Sequence, residues 1–355
     1  MIPSVSGDKQ AVISTDMMFP GSELSWAGEG PRPNLISLGT VDGKLSFSGE
    51  LSQTDVQGPI FVSKASEAIN GVAFSGDLLG VSTRADIVIV RDFSSINNGK
   101  SGLILIDRGA HEIAAMPPGN FIAPVGKDGL LFIEPRDGGV VSTTVRLKET
   151  PFYNYKASVM GITPNGECVA SVLRQDGLSV VLRNGDSWSG SRWTFSKLDI
   201  VDVTPITNAE FPFGLAVVGI DNSIHFVRDV FTDRKPRTFR FDGLSGKAYR
   251  LLSCNGHVFL LTSRRFYIFV DLASRFLGDS ELDSPVTVGE FPCDPIDVNL
   301  AFGRDLLLLS PGRLEIIDVA QFSNPRIHDF SRKMSPHLDF EATYIPETGY
   351  TLVPM

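Results

Sequence analysis

The chain reads as short apolar runs in pairs, each pair pinched around a polar turn. From Val125 to Pro135 the sequence is VGKDGLLFIEP, two apolar runs around Lys127, Asp128 and Gly129. The same pattern returns as NLISLGTVDGKLSFSG, LLGVSTRADIVIVRD, NFIAPVGKDGLLFIEP, CVASVLRQDGLSVVLRN, GLAVVGIDNSIHFVRD, HVFLLTSRRFYIFVD and DLLLLSPGRLEIIDV. The turns centre on Asp42, Ala85, Asp128, Asp176, Asn222, Arg264 and Gly312, and successive centres lie 42 to 48 residues apart. Short apolar runs on either side of turn-forming residues predict β-hairpins. A repeat of about 40–50 residues built from such hairpins predicts the blades of a propeller.

A further apolar run precedes most hairpins: INGVAFSG, HEIAAMPPG, SVMGITPNG, YRLLSCNG and DVNLAFG. Another follows, as in GLILIDR, STTVRLK, RTFRF and PVTVGEF. Four short strands per unit predict an all-β, seven-bladed β-propeller with four-stranded antiparallel blades, because a four-stranded sheet covers both faces only when stacked between like sheets. Strands from both termini are expected to close the ring. Residues 1–21 then form an N-terminal arm, and the segment 338–355 completes blade one through Ala342 to Ile345 beside the hairpin at Asp42. SELSWAG, from Ser22 to Gly28, competes for that place. With no linker or low-complexity tract, residues 1–355 read as one domain.

Composition narrows the function. The 34 Gly and 22 Pro suit many turns and argue against long helices. The net charge of −9 argues against a partner bound through phosphates over the whole surface, nucleic acid above all. Cys168, Cys254 and Cys293 are scattered and in no CxxC spacing, which points to no disulfide framework and no zinc site and fits a reducing, cytoplasmic setting. There is neither a leader-like N-terminus nor an apolar run long enough to cross a bilayer.

The residues resemble a divergent member of the WD-repeat class of propellers over nearly the whole chain. Where that class ends its third strand in Trp-Asp, this chain has Arg91-Asp92, Ile133-Glu134, Arg228-Asp229, Val270-Asp271 and Ile317-Asp318, keeping the acid without the tryptophan. Asp128, Asp176 and Asp221 resemble the hairpin aspartates of the class, and His111 in GAHEIAAM its histidine. The resemblance implies a hydrogen-bonding, structural role for these four, and Asp in a tight turn accepts backbone hydrogen bonds in any case.

No nucleophile motif, phosphate loop or metal-ligand spacing is present, so no catalytic residue, metal or cofactor is assigned. The five histidines lie in different units, and His225, alternating with Ile224 and Phe226 in a strand, reads as a structural or surface residue. The hairpin turns would share one face and gather Lys44, Arg84, Lys127, Arg264, Arg265 and Arg313 into a basic crescent interrupted by Asp176 and Asp221. On the opposite face DVFTDRKPRTFRF would carry Arg234, Lys235, Arg237 and Arg240. The loop RNGDSWSGSRW offers Trp188 for contact with a protein or sugar, while Trp193 begins a strand-like run.

The first expectation is therefore a non-catalytic platform for protein partners within a larger intracellular complex. Two alternatives stay open: a propeller hydrolase or lyase with acids or a metal converging at the innermost strands, and a carbohydrate- or phosphate-binding propeller.

Overall fold

The structure is a computed structural model that describes residues 9–14, 24–30, 35–49, 61–62, 67–91, 102–116, 118–137, 139–145, 154–163, 166–173, 177–185, 187–194, 200–206, 213–232, 236–240, 244–254, 256–269, 286–290, 296–301, 305–311 and 313–318. Each hairpin of the sequence becomes the second and third strands of a four-stranded antiparallel sheet, and the described residues form seven such sheets.

Strand β1 (Lys9–Ser14) comes first and pairs far along the chain. The first sheet is β2 (Leu24–Glu29), β3 (Leu35–Thr40), β4 (Lys44–Gly49) and β5 (Phe61–Val62). The second is β6 (Gly71–Ser75), β7 (Leu78–Ser82), β8 (Ile87–Arg91) and β9 (Gly102–Ile106). The third is β10 (Ala114–Met116), β11 (Asn120–Pro124), β12 (Leu130–Arg136) and β13 (Gly139–Val145). The fourth is β14 (Asn154–Thr163), β15 (Gly166–Leu173), β16 (Gly177–Asn184) and β17 (Ser187–Thr194). The fifth is β18 (Ile200–Pro205), β19 (Leu215–Gly219), β20 (Ile224–Val227) and β21 (Arg237–Phe239). The sixth is β22 (Ala248–Cys254), β23 (His257–Thr262), β24 (Arg265–Phe269) and β25 (Val286–Glu290). The seventh is β26 (Asp297–Ala301), β27 (Asp305–Ser310) and β28 (Arg313–Asp318), with β1 laid on β28. Sheets one to four form one compact unit; sheets five to seven, with β1, form a second.

Two expectations about the chain ends are corrected. The place beside β3 that the sequence reading assigns to Ala342–Ile345 is held by β2, with Leu24 opposite Thr40 and Glu29 opposite Ile36. A run joined to β3 by a few residues reaches its edge with far less loop closure than one at the other end of the chain. Residues 338–355 lie outside the described residues. Residues 9–14, expected within an arm, are instead a strand: Ala11 to Ser14 pair with Ile316 to Arg313 along the edge of the last hairpin.

Within both units β7, β8, β11, β19, β20 and β23 are buried at nearly every position. Those of sheets two, three and six lie between two sheets of their own unit, which is why these runs are apolar without interruption instead of alternating. In the first unit the stacking is tight enough to demand glycine. A Cβ on Gly39 would stand 2.6 Å from Ile69 Cβ, and one on Gly80 2.6 Å from Ile113 Cδ1, so the residue entering each following sheet fills a notch in the sheet before it. A Cβ on Gly109 would lie 1.7 Å from the Arg84 carbonyl oxygen, where the second hairpin turn meets the link to the third sheet. In the second unit Phe226 and Ile224 pack with Leu251, Leu260 and Tyr267 between sheets five and six, and Phe259, Phe266 and Ile268 pack with Leu306 and Leu308 between sheets six and seven.

Candidate interaction surface

The hairpin turns are locked by side-chain hydroxyls. Thr83 Oγ1 accepts from the N–H groups of Ala85 at 3.1 Å and Asp86 at 3.0 Å, and donates to Asp86 Oδ1 at 2.6 Å. Thr262 Oγ1 accepts from the Arg265 N–H at 2.9 Å and donates to the Ser245 carbonyl at 2.7 Å. Thr40 Oγ1 accepts from the Lys44 N–H at 2.9 Å and bonds to Asp42. A threonine closing the second strand of a sheet thus satisfies donors that the tight turn leaves open. Sequence reading missed these residues, although TVDGK, TRAD and TSRR carry the signal.

On these turns Arg84 and Lys127 are exposed in the first unit and Arg264 in the second, while Arg265 is half-buried. Lys44 is tied to Asp42 at 2.6 Å. Asp128 faces Arg108 at 3.6 Å, and Arg108 also donates to Thr144 Oγ1 at 3.1 Å. His111 is exposed, and its backbone N–H donates to the Pro124 carbonyl at 3.3 Å. Asp176, Arg234 and Lys235 lie outside the described residues, as does the side chain of Arg313 at the start of β28.

Two placements differ from the sequence reading. Trp188 is on strand β17, not in a loop, and is half-buried with its ring edge-on to Phe132 at 5.4 Å between centroids. Arg183 also reaches that ring, its guanidinium standing 4.0 Å over Phe132 and 3.5 Å from Glu134. The large apolar area of the indole draws it against the neighbouring sheet. Arg240, expected on the face opposite the turns, sits at the turn end of its sheet and pairs with Asp221 at 3.2 Å, because β21 runs antiparallel to β20 with Phe239 opposite Ile224. Arg237 is exposed on β21.

The fifth sheet holds a chain of polar groups. Asp221 Oδ1 accepts from the Ser223 N–H at 3.0 Å and from the Ser223 hydroxyl. Ser223 Oγ is 3.0 Å from His225 Nε2, and His225 Nδ1 is 2.8 Å from Thr238 Oγ1. With the serine hydroxyl donating to the carboxylate, Nε2–H donates to Ser223 Oγ and Nδ1 accepts from the Thr238 hydroxyl, which orients the imidazole within the sheet. Burial pushes the His225 pKa down, and the Arg240 charge acts the same way against Asp221. Burial pushes the Asp221 carboxyl up, but its Ser223 hydrogen bonds and Arg240 outweigh that and hold it below the ordinary value.

The first strands of sheets five, six and seven are joined by a second polar ladder. Asp202 is buried, and its Oδ2 accepts the Leu251 N–H at 2.7 Å and lies 4.0 Å from Arg250 Nε. Arg250 reaches on to Asp297 at 3.5 Å and donates to Asn299 Oδ1 at 3.0 Å. Thr204 donates to Ser253 Oγ at 3.1 Å, and Ser253 donates to the Pro205 carbonyl. One guanidinium shared by two carboxylates ties the first strands of the three sheets together.

No family profile matches the chain, and no curated protein matches it by sequence. Solved structures match the fold over most of its length. The β-propeller domain of Cps50 (Swd1) from Myceliophteria thermophila superposes with a TM-score of 0.62 at 13% identity, covering 88% of this chain and 99% of that one. Sqt1 from Saccharomyces cerevisiae gives 0.58 at 13%, over 88% and 99% of the two chains. The WD40 propeller domain of Doa1 gives 0.57 at 14%, over 84% and 98%. The fold is an all-β propeller, similar to these domains. At such identities the likeness speaks for fold alone.

Proposed function

We propose that this chain is a non-catalytic platform for protein partners, a subunit of a larger intracellular complex, in which the seven sheets build one seven-bladed, single-domain propeller. The observation that carries the reading is the set of hairpin turns. Thr83 and Thr262 clamp the backbone while Arg84 and Arg264 are held out to solvent, so these cations dock without the ordering cost of a mobile loop. The partner this suits is an acidic protein segment. A hydrolytic reading gains nothing from Asp202 and Asp297, which are engaged by Arg250.

The test is affinity purification of the tagged full chain at low and moderate salt, beside the charge-reversed pairs Arg84→Glu/Lys127→Glu and Arg264→Glu/Arg265→Glu. A stoichiometric protein that stays on the wild type and is lost from at least one pair supports the platform. If nothing co-purifies, or if the partner stays on both variants, the reading is wrong. Polyanion binding that disappears on changing Arg234, Lys235 and Arg237 to Glu would move the assignment to a phosphate-binding propeller.

A further inference from the structure

In the second unit, three backbone segments are cross-bonded into one frame at the turn end of the sheets. Residues 219–222 form the turn of sheet five, closed by the Asn222 N–H on the Gly219 carbonyl at 2.9 Å. Asn222 has a φ of 63°, a left-handed value that asparagine adopts more readily than most residues. Its side-chain amide grips the link into sheet six from both sides: Nδ2 donates to the Gly246 carbonyl at 2.7 Å, and Oδ1 accepts the Ala248 N–H at 2.7 Å. Lys247, between those two, is bonded onward to the turn of sheet six. Its N–H donates to Ser263 Oγ at 3.1 Å, and the Ser263 N–H donates to the Lys247 carbonyl at 2.9 Å. A Cβ on Gly246 would stand 3.0 Å from the Arg264 nitrogen, so link and turn are in direct contact.

Four side chains reach solvent from this frame. Ile220, on the turn of sheet five, is 50% exposed. Lys247 and Tyr249 flank the buried Ala248. The Tyr249 hydroxyl donates to the Ile296 carbonyl at 2.8 Å, which fixes the ring while 47% of the residue stays exposed. Arg264 is exposed next to Ser263, the residue bonded to Lys247. Asp221, beside Ile220, is paired with Arg240 at 3.2 Å. Among the described residues neither Lys247 nor Arg264 has an acidic partner. Two cations and two apolar groups therefore stand on one cross-bonded surface.

We infer that Ile220, Lys247, Tyr249 and Arg264 are the seat of an acidic segment of a partner protein that carries a large apolar side chain beside its carboxylates. The inference rests on the platform reading and narrows it to one place and one partner chemistry. Charge complementarity sets the carboxylates against Lys247 and Arg264. The apolar side chain belongs on Tyr249 and Ile220, because binding energy concentrates on fixed aromatic contacts that a partner can dry. The cross-bonded frame keeps the ordering cost of docking small. A polyphosphate chain fits less well, since the net charge of −9 repels a long polyanion and the apolar pair would stay uncovered.

The experiment pans a phage-displayed library of random peptides on the immobilised full chain. Binding of synthetic versions of the enriched peptides is then measured at low and moderate salt to wild type, Lys247→Gln/Arg264→Gln, Ile220→Ser and Arg84→Glu/Lys127→Glu. All these positions except Arg84 and Lys127 belong to the proposed seat, all are exposed, and unchanged melting temperatures verify that the variants fold. The expected result is enrichment of peptides with Asp or Glu next to a large apolar residue. Their binding should weaken about tenfold or more in Lys247→Gln/Arg264→Gln and severalfold in Ile220→Ser, fall with salt, and stay unchanged in Arg84→Glu/Lys127→Glu. Acidic peptides that are lost only from Arg84→Glu/Lys127→Glu would overturn this seat while leaving the platform reading in place. No acidic enrichment, or binding indifferent to Lys247→Gln/Arg264→Gln, would overturn the inference, and the platform reading is then decided separately by the affinity purification. Inorganic polyphosphate that binds more tightly than the peptides and is lost from Lys247→Gln/Arg264→Gln would overturn it in favour of a phosphate ligand.

Discussion

Both units stack apolar sheet faces, and they differ in what is added at particular joints. In the first, sheets meet through apolar residues set into glycine notches, Ile69 over Gly39 and Ile113 over Gly80. In the second, the first strands of three successive sheets are joined by the ladder from Asp202 through Arg250 to Asp297 and Asn299. The first unit also draws its sheets from strands that follow one another in the chain, whereas the second completes its last sheet with β1 from far away in sequence. A repeat of one length therefore accommodates a glycine notch at one joint and an ionic ladder at another. The costs of damage differ accordingly: a notch fails by overpacking, a ladder by leaving a charge alone.

The largest effect is expected from removing residues 1–14, which strips β1 from β28 and bares an edge of the seventh sheet. A fall in melting temperature of roughly 4–7 °C is expected, the consequence of losing about 3–5 kcal/mol in a chain of this size. Calorimetry that shows full stability would mean β1 is dispensable. Next comes Asp202→Ala, which leaves the Leu251 N–H without its acceptor and Arg250 without one of its two carboxylates. Removing one member of a buried pair costs about 3 kcal/mol, read from the shift in urea midpoint. Replacing Asp202 and Arg250 together by leucine and methionine is expected to recover much of it; a double variant no better than the single would show that the ladder does not act as a unit.

In the other unit Gly80→Leu forces a side chain into the space of Ile113 and Phe121, at a cost of about 1–3 kcal/mol. If the two joints are as different as their chemistry, raising the salt concentration changes the Asp202→Ala deficit and leaves that of Gly80→Leu unaltered. The smallest effect concerns pH. Burial lowers the His225 pKa in the folded state, so the unfolded chain takes up a proton more readily. The stability held in the Ser223–His225–Thr238 chain is full above the ordinary histidine value and drains as pH falls below it toward the folded value. Urea midpoints between about pH 7 and pH 5 should slope for wild type and flatten for His225→Phe; equal slopes would remove His225 from the account.

Much of this was open to sequence reading, and the reasons are local. Each hairpin shows as two apolar runs about a turn, since a strand buried on both faces must be apolar throughout. The ladder was harder to see. Asp202 and Leu251, Arg250 and Asn299, and Thr204 and Ser253 are each 49 residues apart, one repeat along, yet nothing in IVDVTP or AYRLLSC alone says that an acid and a base will face each other. Trp188 misled for a similar cause: Gly and Ser around it resemble a loop, and only the neighbouring Phe132 turns the segment into a packed strand.

What the sequence by itself determined is the repeat: which residues make the hairpins, how many there are, and that each needs two further strands to cover it. These follow from short-range periodicity and turn chemistry, which act within a few residues. What only the tertiary structure decided is which strands complete the end sheets and which polar residues meet across a repeat. KQAVIS, SELSWAG and the C-terminal run all have the character of an edge strand, and hydrophobic pattern alone does not rank them. The choice rests on the free edges that the folded sheets present and on the length of chain that must be closed to reach them.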